Sequence, residues 1–292
     1  MESWSDNDPP LAAIRPIVAL ALAEDILPLG DLTVSLLDRG QMGIAHFVSR
    51  RPGVLAGLAT VAEVFYQVDR ELTLTLDRRD GDEVAAREKF ATVSGPFGSL
   101  LSAERTALNF LCHLSGIATM TRRYVEIVRM TNPNARVWDT RKTTPGMRSL
   151  EKAAVRAGGA VNHRGNLSDG ILIKDNHLGG VGITEGVARA LARWPGRMVE
   201  VECDRLEQVH EAVAAGASLV MCDNMTPDEV AKAVEIVHSH PRGAASACLV
   251  EASGGVTIDN IELFARAGAD LISSGALTHS APILDIGLDL EL

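Results

Sequence analysis

Three copies of one small-residue turn constrain the fold of this chain more than any other feature. Ala157-Gly158-Gly159-Ala160, Ala215-Gly216-Ala217 and Ala267-Gly268-Ala269 each follow an amphipathic stretch and precede an apolar run. Glycine suits the left-handed position that ends a helix, and an uninterrupted apolar run is typical of a strand buried on both faces. The repeats therefore predict successive βα units with parallel strands.

Seven runs after Asn132 are predicted to be strands of this parallel sheet. They are Arg136–Thr140, Ala160–His163, Ile171–Lys174, Met198–Glu202, Leu219–Asp223, Leu249–Ser253 and Leu271–Ser274. Four of the steps between them leave room for a crossover helix, but Lys174 lies only 11 residues after His163, too few for a helix and a strand. We therefore expect an incomplete or distorted α/β barrel instead of a regular eightfold one.

The residues before Ser102 show a different pattern, with more strands than helices. Helices are predicted at Leu11–Glu24 and Thr60–Val68, and strands at Ile44–Ser49, Leu72–Leu76 and Lys89–Ser94, which together indicate a small layer of mixed α and β structure. A long helical stretch follows over Ser102–Met130.

We predict four segments along the chain: a disordered tail over 1–10, an N-terminal domain over 11–120, a barrel domain over 121–276 and a C-terminal segment over 277–292 that returns to the N-terminal domain.

Composition excludes several classes of protein. The 28 Lys and Arg residues against 38 Asp and Glu give a net charge of −10, which would repel a nucleic-acid backbone. The four Cys form no CxxC pair, so reduced thiols in a cytoplasmic protein are expected. The acidic N-terminus lacks the basic start and apolar run of a signal peptide, and no early stretch is apolar enough for a membrane span.

Each predicted strand of the barrel ends in polar or charged residues. Parallel strands bring their C-terminal ends to one face, where α/β proteins carry their sites. The residues at these ends are Asp139 with Arg141 and Lys142, His163 with Arg164, Lys174 with Asp175, Glu202, Asp223, Ser253 and Ser274. Gathering cations on one face of an acidic protein is costly unless an anion binds there, so the pattern predicts a polyanionic ligand.

The acids and the glycine-rich ends allow finer predictions. Glu202 and Asp223 are candidate Mg²⁺ ligands; they are equally suited to hold sugar hydroxyls or to neutralise the nearby cations. The last two strands end in Ser253-Gly254-Gly255 and Ser274-Gly275-Ala276, where exposed main-chain N–H groups suit a phosphate.

Several long motifs resemble the quinolinate phosphoribosyltransferase family, also called nicotinate-nucleotide pyrophosphorylase (carboxylating). The resemblance runs from about Glu24 to the C-terminus. The motifs are Glu104-Arg-Thr-Ala-Leu-Asn109, Ser115-Gly-Ile-Ala-Thr119, Asp139-Thr-Arg-Lys-Thr-Thr-Pro-Gly146, Asn162-His-Arg164, Ile173-Lys-Asp-Asn-His177, Val199-Glu-Val-Glu202, Asp223-Asn224, Glu251-Ala-Ser-Gly-Gly255 and Gly275-Ala-Leu-Thr-His279.

This resemblance implies a fold, a reaction and an assembly. The fold is an N-terminal α/β sandwich domain followed by an incomplete, seven-stranded α/β barrel. The reaction joins quinolinate to 5-phosphoribosyl 1-pyrophosphate with Mg²⁺, giving nicotinate mononucleotide, pyrophosphate and CO₂ for NAD synthesis. The assembly is a homodimer or dimer-based hexamer with shared active sites.

The resemblance also implies residue roles. Arg105 reaches into the partner's site, while Arg141, His163, Arg164 and Lys174 hold the quinolinate carboxylates. Lys142 meets the phosphoribosyl donor, and Glu202 and Asp223 serve the ribose and the metal. Around the 5′-phosphate stand Ser253, Gly254, Ser274 and Gly275. We take Lys142, Lys174, Glu202 and Asp223 as the catalytic set.

The sequence also departs from the family pattern. Ala153 stands where the family often has an aromatic residue, and the stretch between Lys174 and Glu202 looks short for a helix.

Three other functions remain open at this stage. One is a related phosphoribosyl- or glycosyltransferase acting on another anion, including a relative associated with molybdate systems. Another is a Schiff-base lyase that uses Lys174. The third is a non-catalytic protein that binds phosphoribosyl ligands.

Overall fold

The computed structural model describes residues 8–38, 40–174, 180–241 and 248–291. Most of the predicted tail, residues 1–7, lies outside them, as do Asp175, Asn176 and His177 of the family motif. The chain forms two compact units. The first comprises the residues up to Arg122, Thr143–Gly159 and the residues from Leu277 onward, and the second comprises Arg123–Lys142 and Ala160–Ala276.

These units are not the contiguous ranges that we predicted from the sequence. Residues 143–159 fall within the predicted barrel domain but cluster with the first unit. The residues from Leu277 onward, by contrast, cluster with the first unit as we predicted, and a C-terminal strand pairs there with the sheet.

The first unit is built around a four-stranded antiparallel sheet. Its elements are α1 (Leu11–Ile26), β1 (Met42–Ser49), β2 (Gly53–Val54), α2 (Leu58–Val68), β3 (Thr73–Leu76), β4 (Glu83–Val84), β5 (Lys89–Pro96), α4 (Arg148–Ala157) and β12 (Ile286–Glu291). The strand order is β12-β1-β5-β3, and β2 pairs with β4 in a separate two-stranded sheet. Helix α3 (Phe97–Thr131) contributes its residues up to Arg122 to this unit.

Alternating burial along β1 shows which face of this sheet is the core. Ala45, Phe47 and Ser49 are buried, as the period of two in a strand requires. The Phe47 ring packs edge-on against Phe65 of α2 at 6.0 Å and beside Phe90 of β5 at 6.1 Å. The core of the first unit therefore lies between its sheet and α2.

The second unit is a parallel sheet with crossover helices. Its elements are β6 (Arg136–Trp138), β7 (Ile171–Ile173), α5 (Ile183–Arg193), β8 (Val199–Cys203), α6 (Leu206–Ala215), β9 (Leu219–Asp223), α7 (Pro227–Ser239), β10 (Leu249–Ser253), α8 (Ile261–Arg266) and β11 (Leu271–Ser273). A short helix, α9 (Ala276–His279), follows. The strand order is β6-β11-β10-β9-β8-β7. Helix α5 shows that the stretch before Glu202 is long enough for a helix.

Six of the seven predicted strands are confirmed as strands. The seventh, Ala160–His163, makes only a single parallel bridge, from Val161 to Trp138. The next N–H groups bond to side chains and not to a neighbouring strand. His163 N–H donates to Asp139 Oδ1 at 2.8 Å, and Arg164 N–H donates to His163 Nδ1 at 2.7 Å. The ladder therefore stops after one residue, and the barrel is incomplete.

The predicted glycine turns end three of the helices as expected. Gly216 follows α6 with φ +95°, and its N–H donates to Val213 O at 3.0 Å, closing the helix before β9 begins. Gly159 and Gly268 adopt the same left-handed conformation after α4 and α8. A residue with a Cβ atom is disfavoured there, which explains the repeated glycine.

None of the helices in the described residues is both long and apolar enough to cross a membrane.

Helix α7 begins with a capping box directly after the Asp223 end of β9. Thr226 Oγ1 accepts from Glu229 N–H at 3.3 Å, and Glu229 Oε2 accepts from Thr226 N–H at 2.8 Å. We expect Thr226→Ala to lower the free energy of unfolding by about 1 kcal/mol, because the Glu229 N–H loses the hydroxyl oxygen that accepts from it. Urea unfolding followed by circular dichroism measures the change.

The matched control is Thr226→Ser, which keeps the hydroxyl acceptor. An equal loss in both variants would contradict the capping assignment.

Candidate active site

Alternate residues of the parallel strands face one cavity. In β9 and β10 these residues are Met221 and Asp223, and Glu251 and Ser253, each pair two positions apart, and β8 contributes Glu202. Strand register brings them together, since Glu202 pairs with Met221, Met221 with Glu251, and Asp223 with Ser253. The C-terminal ends of three neighbouring strands thus present a continuous polar surface.

The second unit holds a cavity of about 210 Å³ at these strand ends. It is lined by Thr140, Arg141, Lys142, His163, Arg164, Leu172, Lys174, Glu202, Met221, Asp223, Glu251, Ser253 and Ser273. Four of these residues are permanent cations, and they lie beside three carboxyl groups. The cavity therefore offers both an anion-binding surface and acids that can face a hydroxyl group or a cation.

The cations lie close enough to affect one another. Burial lowers the pKa of Arg164, and the neighbouring Arg141 lowers it further. Arg164 Nη1 donates to the main-chain oxygen of Gly170 at 3.3 Å, which fixes one side of its guanidinium. Two adjacent guanidinium groups repel each other, and an anion bound between them would relieve that repulsion.

Lys174 and Glu202 form an ion pair inside the cavity. The Lys174 side chain is 37% exposed and that of Glu202 17%, so the pair stands at the cavity wall and not in the core. Asp223, on the neighbouring strand, accepts from Asn224 Nδ2 at 2.9 Å. The two acids of the predicted metal pair therefore line the same cavity but have different partners.

A buried cluster of His163, Glu200 and Glu251 lies at the base of the site. His163 Nε2 is 3.1 Å from Glu200 Oε2 and 3.8 Å from Glu251 Oε2. Both carboxyl groups are almost fully buried, and burial raises the pKa of Glu200 to about 7 and that of Glu251 to about 8. Two adjacent carboxylates in such a place do not both ionise readily near neutral pH.

Asp139 holds the chain that carries His163 and Arg164. It is fully buried, and its two oxygens accept from His163 N–H at 2.8 Å and from Asn162 Nδ2 at 2.7 Å. Asp139, which the sequence analysis places among the polar strand ends, therefore supports the main chain that carries His163 and Arg164.

The ends of β9 and β10 pack closely against each other at Gly254. Gly254 has φ +87°, and a Cβ atom there would lie 2.3 Å from Asn224 Oδ1 and 2.8 Å from Asn224 N. Asn224 N–H donates to Ser253 O at 2.8 Å, which joins the β9 and β10 loops. A side chain at position 254 would therefore separate these two loops.

The structure brings eight of the predicted site residues to one cavity. They are Arg141, Lys142, His163, Arg164, Lys174, Glu202, Asp223 and Ser253. Gly254, Ser274 and Gly275 follow these strands but do not line it. The Ser274 hydroxyl instead donates to Val256 O at 2.8 Å, and the preceding Ser273 lines the cavity. Arg105 is an exposed residue of the first unit.

Sequence reasoning did not identify Glu200, Glu251 or Ser273 as site residues. Each lies within a run that the sequence analysis predicts to be a strand buried on both faces. A signal was present, because an acid in the middle of such a run is rarely tolerated without a partner.

Two protein-family models match the chain. Residues 31–115 match the model of the quinolinate phosphoribosyl transferase N-terminal domain, and residues 117–289 match that of the C-terminal domain. The chain belongs to the quinolinate phosphoribosyltransferase family.

Curated relatives cover nearly the whole chain. The probable nicotinate-nucleotide pyrophosphorylase [carboxylating] of Bacillus subtilis is 42% identical over 265 residues, 90% of this chain and 89% of that protein. The nicotinate-nucleotide pyrophosphorylase [carboxylating] of Mycobacterium leprae is 40% identical over 284 residues, 95% of this chain and 97% of that protein.

Solved structures agree in fold. The nicotinate-nucleotide pyrophosphorylase from Francisella tularensis has a TM-score of 0.90 and 34% identity, covering 99% of this chain and 100% of that one. The family assignment therefore extends over both units of the chain.

Gly254 provides a test of the close loop packing. We expect Gly254→Ala to lower the free energy of unfolding by more than about 2 kcal/mol, because an unfavourable left-handed conformation is combined with a clash against Asn224. Urea unfolding of the full chain measures the change.

Gly255 is the matched control, since it has φ +61° and a Cβ atom there would meet no other atom within 4 Å. Gly255→Ala should cost only about 1 kcal/mol. Equal losses at the two positions would contradict the close approach of Asn224.

Proposed function

We propose that this chain transfers the phosphoribosyl group of 5-phosphoribosyl 1-pyrophosphate to quinolinate with loss of CO₂, forming nicotinate mononucleotide and pyrophosphate. One observation carries the proposal: in a chain of this family, Arg141, Arg164, Lys174, Glu202 and Asp223 all line one cavity. This reaction supplies NAD synthesis.

Quinolinate carries two carboxylates, and the cationic part of the cavity is suited to both. Arg141 and Arg164 offer planar N–H donors for two-point contacts with a carboxylate. Lys174 adds a point charge on the neighbouring β7 end. In this proposal the dicarboxylate binds between the two guanidinium groups and relieves their repulsion.

The phosphoribosyl donor is assigned to the opposite part of the cavity. Lys142 meets the pyrophosphate, Glu202 and Asp223 face the ribose, and the Ser253-Gly254 and Ser274-Gly275 ends surround the 5′-phosphate. Ser273 joins this group because it lines the cavity and its hydroxyl donates to Ser253 Oγ at 3.0 Å.

The two acids also fit a magnesium ion. Mg²⁺ takes one or two protein carboxylates and completes its shell with water and substrate phosphates, and Glu202 and Asp223 line the same cavity. When bound, the ion would offset the charge of the pyrophosphate.

The residues suggest how the reaction proceeds. The pyridine nitrogen attacks C1 of the ribose as the bond to pyrophosphate breaks, so positive charge grows on the ribose. Glu202 and Asp223 are placed to stabilise that charge, and Lys142 to stabilise the leaving pyrophosphate. The positive charge of the pyridinium then stabilises the electron pair that stays on the adjacent ring carbon as CO₂ leaves, and a proton takes the place of CO₂ on that carbon. No covalent enzyme nucleophile is needed.

The ion pair of Lys174 disfavours the Schiff-base alternative. A Schiff base forms from a neutral amine that is free to attack a carbonyl group. The Lys174 ammonium group is instead paired with Glu202.

We also propose that the protein works in the cytoplasm as a homodimer or dimer-based hexamer with shared sites. All four cysteines are free thiols, which suits a reducing compartment. Arg105 is exposed on α3, so it is available to enter a partner's site.

The direct test measures CO₂ and pyrophosphate released from quinolinate and the phosphoribosyl donor. We expect equal amounts of both products, dependence on Mg²⁺, and no turnover when nicotinate replaces quinolinate. Pyrophosphate release with nicotinate but not with quinolinate would support a related transferase instead. Ligand binding without any product would support a non-catalytic binder.

Arg141→Ala and Arg164→Ala should each raise KM for quinolinate. A buried charge-assisted contact is worth about 2–3 kcal/mol, which corresponds to roughly 30- to 150-fold. Steady-state kinetics with saturating phosphoribosyl donor measures the effect.

Arg189→Ala is the control, since Arg189 is an exposed arginine of α5 paired with Glu185. Unchanged KM in both site variants would rule out the carboxylate-binding assignment.

Subunit mixing tests the shared site. Arg105→Ala and Lys142→Ala should each abolish most activity, while a mixture that exchanges subunits should recover about a quarter of it, because heterodimers rebuild one intact site.

Mixing Lys142→Ala with Lys174→Ala is the control, as both residues line one cavity and no intact site can form. Recovery in the control mixture, or none in the test mixture, would contradict the arrangement.

A further inference from the structure

Both ring nitrogens of His163 are engaged by the protein itself. Nδ1 accepts from the main-chain N–H of Arg164 at 2.7 Å, and Nε2 is 3.1 Å from Glu200 Oε2. The side chain is only 8% exposed, and the Trp138 ring packs edge-on against it at 4.9 Å. These contacts therefore fix the orientation of the imidazole, which also lines the cavity.

These contacts determine where the ring carries its proton. A main-chain N–H only donates, so Nδ1 must present its lone pair to Arg164. The proton of a neutral ring then lies on Nε2, where it points at the carboxyl groups of Glu200 and Glu251. A doubly protonated ring would direct an Nδ1–H against the Arg164 N–H at 2.7 Å.

The same argument decides against a metal ion in this cluster. One ligand atom each from His163, Glu200 and Glu251 lies within 4.8 Å of the others, a spacing that a metal ion could use. Nε2 binds a metal only through its lone pair, which would move the ring proton to Nδ1. That position already faces a donor, so the tautomer that binds a metal is disfavoured.

We propose that His163 is a neutral Nε2–H imidazole that acts as a positioning residue, fixed by Glu200 and Glu251 and in turn fixing the main chain of Arg164. The first half of this proposal concerns the protein alone. The second half rests on the proposed function, since it makes Arg164 the residue that meets the substrate carboxylate. Glu200 and Glu251 thereby gain a role that sequence reasoning did not assign to them.

The positioning role has a structural rationale. Arg164 follows a segment that makes only one bridge to the sheet, so its main chain lacks the support of a strand ladder. Asp139 fixes the N–H of His163, and His163 Nδ1 fixes the next N–H. Two consecutive side-chain acceptors thus replace the missing ladder and direct the guanidinium toward the cavity.

The first experiment measures the tautomer directly. The full chain, labelled with ¹⁵N-histidine and free of ligands, is studied by long-range ¹H–¹⁵N correlation NMR at neutral pH, with His163 signals assigned by their loss in His163→Asn. We expect the pattern of a neutral Nε2–H ring, unchanged by added Zn²⁺ or Mg²⁺. An Nδ1–H pattern, a doubly protonated ring, or signals moved by a metal would overturn the proposal.

The second experiment separates positioning from direct substrate contact. Asparagine places an acceptor oxygen where Nδ1 stands, whereas glutamine places its amide near Nε2. We expect His163→Gln to raise KM for quinolinate at least about 10-fold more than His163→Asn does, with a smaller difference in kcat. Equal increases would indicate a ring that contacts substrate directly and would overturn the positioning role.

A third variant keeps the test independent of changes at His163. Glu200→Gln retains an acceptor for the Nε2–H, so the NMR pattern should persist. Loss of the pattern in the glutamine variant, with a normal melting curve, would count against the proposal. An Nε2–H pattern in a protein that releases no CO₂ from quinolinate would refute the proposed function but leave the tautomer standing.

Discussion

Parallel pairing of β8, β9 and β10 is the constraint on which the site depends. Because strand side chains alternate between faces, Glu202, Asp223 and Ser253 all project from the same edge of one sheet. The register sets Glu202 level with Met221 and Glu251, and it sets Asp223 level with Ser253. A slip of one residue in any of these strands would turn its acid away from the cavity. Gly216 supports the register of β9, since it ends α6 and the strand begins three residues later.

Charge is distributed in two layers at this edge. The upper layer holds the cations and acids that line the cavity, where water and a ligand can reach them. The lower layer holds Glu200 and Glu251, whose burial raises the pKa of each, so the pair resists carrying two negative charges. His163 connects the two layers, since its Nε2 contacts the Glu200 carboxyl group and its Nδ1 accepts from the main-chain N–H of Arg164. An acidic protein can thus place a cationic cavity beside buried acids, of which Glu200 pairs closely with His163.

Much of the architecture was predictable because it follows from local patterns. The parallel strands of the second unit lie within about two residues of the predicted bounds, since apolar runs between helix-ending glycines have few other possible structures. Ala160–His163 failed as a strand because side chains of Asp139 and His163 take the N–H groups that a ladder would need. The C-terminal strand β12 was not predicted as a strand, as its pairing with β1 joins residues more than two hundred positions apart.

The sequence by itself determined the class of fold, the strand ends that carry polar residues and the family, because these depend on periodicity and on long ordered motifs. Only the tertiary structure decided which side of each strand end meets the cavity. It brought Ser273 to the wall in place of Ser274, and it placed two acids of apolar runs beneath His163. The physical reason is that the face of a strand that meets a cavity is set by its neighbours in the sheet, and those neighbours are remote in the sequence.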